Sequence, residues 1–371
     1  MLSSGFAYER RPRKDNNRGL VVHPARRILE NGVVEELDWS LFGVFEGHGD
    51  GHGHSGTEIA ALAKHFVLEN MVPFFIQKQK EAQINSKNFD LTLSDMFSLE
   101  EMTRTMISLF IDMKAFIERK ARSTVESAGC TVSLVLVSSH KMFAINLGDS
   151  GSVGYSYKSG KTLVSQPLTP RHTPKEEKKY NLARIEASDK CQIEEHTQYG
   201  NSYGTYNRFL NKNGQYENRR WRDESIYRIY RNTESAFDKR LGTHNRRGVR
   251  NSADGIRVTR TLGDLDYDPC LIRTPVVTEI DLRDQSFAPP LILLGSSGLF
   301  ELRQGATDTA EIILDGISKG VVGGNSSMEQ RNDLVEKGLT EGCLRWWKCR
   351  EMVKKGDWHE GTFVIGLFFN W

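Results

Sequence analysis

The sequence predicts an α+β protein, a sheet sandwich flanked by helices. Two observations carry that prediction. Short apolar, β-rich runs recur, each followed by a glycine-bearing turn, and helical patterns lie in groups between them. The strand-like runs are residues 41–45 (LFGVF), 131–137 (TVSLVLV), 142–147 and 291–294. Helical spacing runs over 55–70, with Ile59, Leu62, Phe66 and Val67 on one face and a serine at its start. A longer helix is predicted over 99–123, where Met102, Met106, Leu109, Met113 and Phe116 recur at three- and four-residue steps as a core stripe. Residues 307–317 and 332–353 complete the helical set.

Length and composition narrow the class. The 371 residues fit one large sandwich, so a single domain over 1–371 is expected, and 38% hydrophobic residues suffice for a sizeable core. The net charge of +2 points to neither nucleic acid nor an anionic membrane surface. Five cysteines, with no C-x-x-C pair, argue for a reducing compartment and against a disulfide framework. The polar, basic start lacks the apolar centre of a signal peptide. No apolar run is read as long enough, at about 20 residues, to span a bilayer. An intracellular protein, cytoplasmic or nuclear, without a membrane span and monomeric, is expected.

One stretch breaks the pattern. Residues 188–254 are polar and rich in Asn, Tyr and Arg, with Trp221, Tyr227, Ile229 and Tyr230 as apolar anchors. They read as an inserted surface flap. Its arginines, from Arg219 to Arg250, also suit docking to an acidic or phosphorylated partner.

Chemistry concentrates where strands end. In residues 42–51 (FGVFEGHGDG) an acid, Glu46, directly follows an apolar strand and precedes Gly-His-Gly. That pattern places a carboxylate at a sheet edge, where glycines let backbone carbonyls approach an ion. Hard cations such as Mg²⁺ and Mn²⁺ take such oxygen ligands. Similar strand-turn motifs are residues 143–150 (FAINLGDS), 254–264 (DGIRVTRTLGD), 295–301 (GSSGLFE) and 360–369 (EGTFVIGLFF).

In their order and content these stretches resemble the motifs of the metal-dependent type 2C protein serine/threonine phosphatases. The resemblance implies two packed, mainly antiparallel sheets with helices on both outer faces, and a Mg or Mn cleft at one end. By that resemblance Glu46 and the Gly47 carbonyl stand at metal-ligand positions, as do Glu360 and, for a weaker third ion, Asp149. Glu301 is counted with these metal-site residues, and Asp264 matches a further acid of the motifs. Arg11 would hold the substrate phosphate bidentately. Asp15 and Asn16 fall where two acids are expected. His48 occupies the position of a general acid, and equally reads as a hydrogen-bonded structural residue.

The departures lie in the metal site. Ser297 stands where the resemblance expects an aspartate ligand, and Asn16 where it expects an acid. Glu46, Glu301 and Glu360 each replace an Asp; outside the metal site, Arg171 stands for an acid before His172. Two divalent ions ~4 Å apart repel by about 4 kcal/mol even at the dielectric of water. The carboxylates at positions 297 and 16 would have offset that repulsion. Reduced Mg or Mn binding is therefore expected. The leading expectation is a catalytically impaired type 2C phosphatase, a pseudophosphatase serving as a binding or regulatory module for a phosphoprotein or regulatory protein. The alternative is an active Mn/Mg-dependent phosphoserine/phosphothreonine phosphatase with an adapted site, using metal-activated water.

Overall fold

The computed structural model describes residues 2–8, 17–22, 26–28, 34–36, 38–49, 55–88, 90–122, 124–158, 162–174, 176–177, 191–197, 206–210, 216–220, 225–231, 256–284, 290–301, 306–307, 309–311, 314–315, 337 and 363–369. Five strands open the chain: β1 (Leu2–Tyr8), β2 (Asn17–Val22), β3 (Arg26–Ile28), β4 (Val34–Glu36) and β5 (Ser40–His48). Helices follow: α1 (Ser55–Phe66), a π-helical turn (Val67–Met71), α2 (Val72–Ser86), α3 (Leu93–Met96), α4 (Leu99–Ala121) and α5 (Thr124–Ser127). Next come β6 (Gly129–Val137), β7 (Lys141–Leu147), β8 (Gly151–Lys158) and β9 (Thr162–Pro167). Residues 188–254 contain β10 (Cys191–Thr197), β11 (Tyr206–Leu210), β12 (Tyr216–Arg220) and β13 (Ser225–Arg231). The last elements are β14 (Leu262–Gly263), β15 (Val276–Asp281), β16 (Leu291–Gly295), α6 (Ser297–Glu301) and β17 (Phe363–Phe369).

Two antiparallel sheets form the centre. One runs β15-β7-β6-β5-β2, with β14 added beside β6, and the other runs β1-β17-β16-β8-β9. Side-chain alternation assigns their faces. In β5, Phe42 and Val44 join Val135, Val137, Met142 and Ala144 in packing against Ile292, Leu294, Ile365 and Leu367 of the second sheet. Leu41 and Phe45 point the other way, into a core shared with α1, α2 and α4. On the opposite outer face Leu291, Leu293 and Tyr155 pack with Leu299 of α6 and with Ala306, Ala310 and Leu314. The architecture is thus helix, sheet, sheet, helix, the α+β sandwich expected from the motifs.

α4 spans nearly the whole predicted helix. A capping box opens it: Ser98 Oγ accepts from Glu101 N, and the Glu101 carboxylate accepts from Ser98 N at 2.9 Å. Met102, Met106, Leu109 and Met113 of the predicted stripe are buried, and Phe116 packs against them partly exposed. The first helix is longer than the sequence suggests. Pro73 reads as a stop, yet the π-helical turn Val67–Met71 precedes it and the helix resumes as α2, with the proline in its first turn. The continuous 32-residue run Ser55–Ser86 is, by length and composition, apolar enough to cross a membrane, contrary to the reading of the sequence. Ile59, Ala60, Ala63, Phe66, Val67, Met71 and Phe75 of that run are buried in the core against the β5 and β6 side of the sandwich, where they pack as a core helix does.

Three features lie beyond the sequence reading. β1, taken from the polar start, pairs in full register with β17, Leu2 opposite Phe369 and Tyr8 opposite Phe363. The stretch read as an irregular flap holds two antiparallel ladders, β10 with β13 and β11 with β12. Cys270, fully buried, is disulfide-bonded, which the cysteine spacing does not anticipate. Of the predicted helix 332–353, only Lys337 lies within the described residues.

Candidate functional site

The alternation that buries Phe42 and Val44 between the sheets carries on to Glu46 and His48. The apolar interior thus ends in a carboxylate and an imidazole on one face of one strand. Glu46 is only 4% exposed. A buried carboxylate needs donors, and among the described residues Ser297 and Ser150 supply three. Ser297 donates twice, from its backbone N to Oε2 and from Oγ to Oε1, each at 2.7 Å. Ser150 Oγ donates to Oε2, also at 2.7 Å. Thr131 Oγ1 lies 2.8 Å from Ser150 Oγ and extends the chain of hydroxyls into β6. Short bonds to an ionised acceptor are the strong kind.

Three strand ends converge to build this cluster. Glu46 pairs with Thr131 across β5 and β6 and with Asn17 across β5 and β2. Ser150 ends the turn from β7 to β8, and Ser297 starts α6 directly after β16. Gly148 sits in that first turn at φ 112, where a Cβ would come within 2.3 Å of Thr131.

The second unit is a buried acid with an imidazole. His48 Nε2 lies 2.6 Å from Asp264 Oδ2, across 216 residues of sequence. The Asp264 side chain is 3% exposed and the imidazole 20%. Asp264 takes a left-handed conformation at φ 51. Gly129 admits it: a Cβ there would lie 2.0 Å from Asp264 Oδ2. Arg273 Nη2 caps the Asp264 carbonyl at 3.2 Å.

A third unit, with His172 and Asn146 fully buried at its centre, holds the β7–β8 turn from behind. The Gly148 amide donates to His172 Nδ1 at 3.0 Å, and Asn146 Nδ2 donates to the Gly148 carbonyl at 3.0 Å. Accepting at Nδ1 puts the ring proton of neutral His172 on Nε2, which meets no hydrogen-bond partner among the described residues. Burial, and then the charge of Arg260, push this imidazole down to about 4. Arg260 itself grips Glu177 Oε1 through Nε at 3.0 Å and Nη2 at 2.8 Å, while Thr259 Oγ1 donates to Glu177 Oε2. Those bonds outweigh burial and hold Glu177 below the ordinary carboxylate range. Arg171, next to this unit, donates from Nε to the Asp149 carbonyl at 2.8 Å.

The structure therefore brings Glu46, Ser297 and Ser150 together, with Gly47 next to them on β5 and Asp149 next to Ser150. It sets His48 on Asp264. Among the described residues no three His, Cys, Asp or Glu side chains converge as around a metal ion. Arg11, Asp15, Asn16 and Glu360 lie outside the described residues, and of Glu301 the backbone alone is described, at the end of α6. Sequence reasoning singled out Glu46, Ser297, His48 and Asp264 one by one. It missed their hydrogen bonds and the parts of Ser150 and Thr131, since nothing in the sequence says that a serine stands opposite a particular acid. Gly129, whose missing side chain makes room for Asp264, is the nearest thing to a signal.

Comparison with known proteins agrees with the geometry. Residues 22–196 match the family model for protein phosphatase 2C. Protein phosphatase 2C 1 of Paramecium tetraurelia is 34% identical over 119 residues, 31% of this chain and 34% of that protein. The probable protein phosphatase 2C 2 of the same organism is 32% identical over 135 residues, 34% of this chain and 39% of that protein. The chain spans little more than a third of the length of these curated relatives. The crystal structure of serine-threonine phosphatase 2C from Toxoplasma gondii superposes with a TM-score of 0.63 at 16% identity, covering 100% of this chain and 94% of that one. At that identity the likeness concerns the fold. Fold and partial sequence matches alike show a likeness to the type 2C protein phosphatases.

Proposed function

We propose that this chain is a type 2C serine/threonine phosphatase relative whose metal-dependent hydrolysis is lost or strongly reduced, and that it serves as a binding or regulatory module for a phosphoprotein or regulatory protein. The observation that supports this reading is the hydrogen-bonded state of Glu46. Mg²⁺ or Mn²⁺, which the fold family implies, would need this carboxylate as a ligand, and both of its oxygens accept from hydroxyl or amide donors. Freeing it costs about 1.5–3 kcal/mol per bond to a charged group. Ser297 brings no charge to offset the repulsion between two divalent ions. The described donor set therefore fits a pair of divalent cations poorly, and no catalytic step is drawn through them.

A second reading has its own support in the His48–Asp264 pair. A buried carboxylate that orients an imidazole is what a general acid needs to protonate a leaving alkoxide, so an active phosphatase would retain it. Hydrolysis of a phosphothreonine peptide in millimolar Mn²⁺ separates the two, with Glu46→Ala assayed beside the parent. The expected outcome is no turnover above that of the variant. Turnover that Glu46→Ala abolishes would establish the active enzyme instead.

A further inference from the structure

Arg171 stands at the edge of this cluster with one of its five N–H donors, Nε–H, bonded among the described residues. Its Nε donates to the Asp149 carbonyl at 2.8 Å, and its guanidinium carbon lies 5.9 Å from the centre of the Phe300 ring. A Cβ added to Gly151 would touch Arg171 Cγ at 3.7 Å and Phe300 at 3.9 Å, so the shaft is packed between the start of β8 and α6. Asp149 precedes Ser150, and Phe300 is three residues past Ser297. Arg171 thus bridges the two turns whose serines hold Glu46. Nη1 and Nη2 have no hydrogen-bond partner among the described residues, and the side chain is partly exposed.

We propose that Arg171 is the anion-binding group of a metal-free phosphoryl site, which takes the phosphate of a phosphoserine or phosphothreonine peptide on Nη1 and Nη2. This rests on the reading of the domain as a binding module. The geometry carries it in three ways. A guanidinium offers parallel N–H donors that match two phosphate oxygens, and its charge persists at every physiological pH. Fixing Nε on a carbonyl and holding the guanidinium carbon over the Phe300 ring orders the fork in advance, which lowers the entropy lost on binding. Glu46, a buried carboxylate of the site, already accepts from three donors among the described residues, so it repels an incoming phosphate less than a bare carboxylate would.

The test is fluorescence anisotropy of a labelled phosphothreonine peptide with the full chain in EDTA, competed with inorganic phosphate. The parent is expected to bind without metal. Arg171→Gln keeps an amide to reach the Asp149 carbonyl but loses the charge, and is expected to weaken binding by about tenfold or more. Arg171→Ala is expected to do the same, with thermal melts confirming that both variants fold. Asp149→Asn leaves the backbone carbonyl in place and removes a negative charge, so binding is expected to hold or tighten. An unchanged affinity in Arg171→Gln overturns the proposal. So does a loss in Arg11→Ala with none in Arg171→Gln, equal binding of a glutamate-substituted peptide, or binding that appears only with Mn²⁺ and fails in Asp149→Asn. Mn²⁺-dependent turnover by the parent overturns the binding-module reading instead, and the EDTA titration still decides the role of Arg171.

Discussion

Glu46 and His48 sit two residues apart on the same face of β5, and their surroundings have gone different ways. His48 faces a buried carboxylate, Asp264, at 2.6 Å. Glu46 faces hydroxyls and a backbone amide, with Ser297 where the resemblance to the type 2C family expects an acid. One half of the cleft keeps a pairing that needs no added ion. The other has charges balanced by neutral donors, which is how a buried carboxylate is stabilised without a cation.

The comparison breaks most sharply at position 297. Ser297→Asp would set a second carboxylate against Glu46 in a buried site and remove the hydroxyl donor. An expected loss of about 3 kcal/mol follows in EDTA. Mn²⁺ should restore it, and the parent should gain much less. Thermal melts with and without metal read this directly, and a variant that melts like the parent in EDTA would mean that Glu46 is not held as described.

A loss of similar size is tied to His172 and to pH. Its folded value near 4 lies below the ordinary 6.5, so the unfolded chain binds the proton more tightly. The associated stability is fully present above pH 6.5 and is lost as pH falls toward 4, amounting to ~3 kcal/mol. His172→Gln should flatten the decline in unfolding free energy across that window. A parent curve as flat as the variant's would remove His172 from the account.

Smaller again is Ser150→Ala, which deletes one donor to Glu46 and leaves Thr131 facing a gap. About 1–2 kcal/mol is expected from denaturant unfolding. Asp264→Asn keeps the shape and a hydrogen bond to His48 but not the charge, and should cost about 1 kcal/mol. If Asp264→Asn proved the more damaging of the two, the order of the two halves of the cleft would be reversed.

Much of the sandwich is legible because period and burial coincide. β5, β6, β7 and β16 are apolar runs ended by glycine turns, and α4 has a capping serine and a regular methionine stripe. α2 is hidden because Pro73 reads as a stop while a π-helical turn carries the helix past it. β1 is hidden because Ser3, Ser4 and Gly5 give no strand signal, and its ladder partner lies at the far end of the chain. At the site, residue types announce a polar cleft, but hydrogen-bond partners depend on how far apart strand ends fall in space. The pairs Glu46–Ser297 and His48–Asp264 are separated by 251 and 216 residues.

The ladder between β1 and β17 also has a temporal meaning. β17 lies between β1, from early in the sequence, and β16, from much later in it. During synthesis β1 cannot find this partner until the residues of β17 have been made, while β5, β6 and β7 can already zip into neighbouring hairpins. Sequence separation thus lets the first sheet begin to form before β17 can close the second.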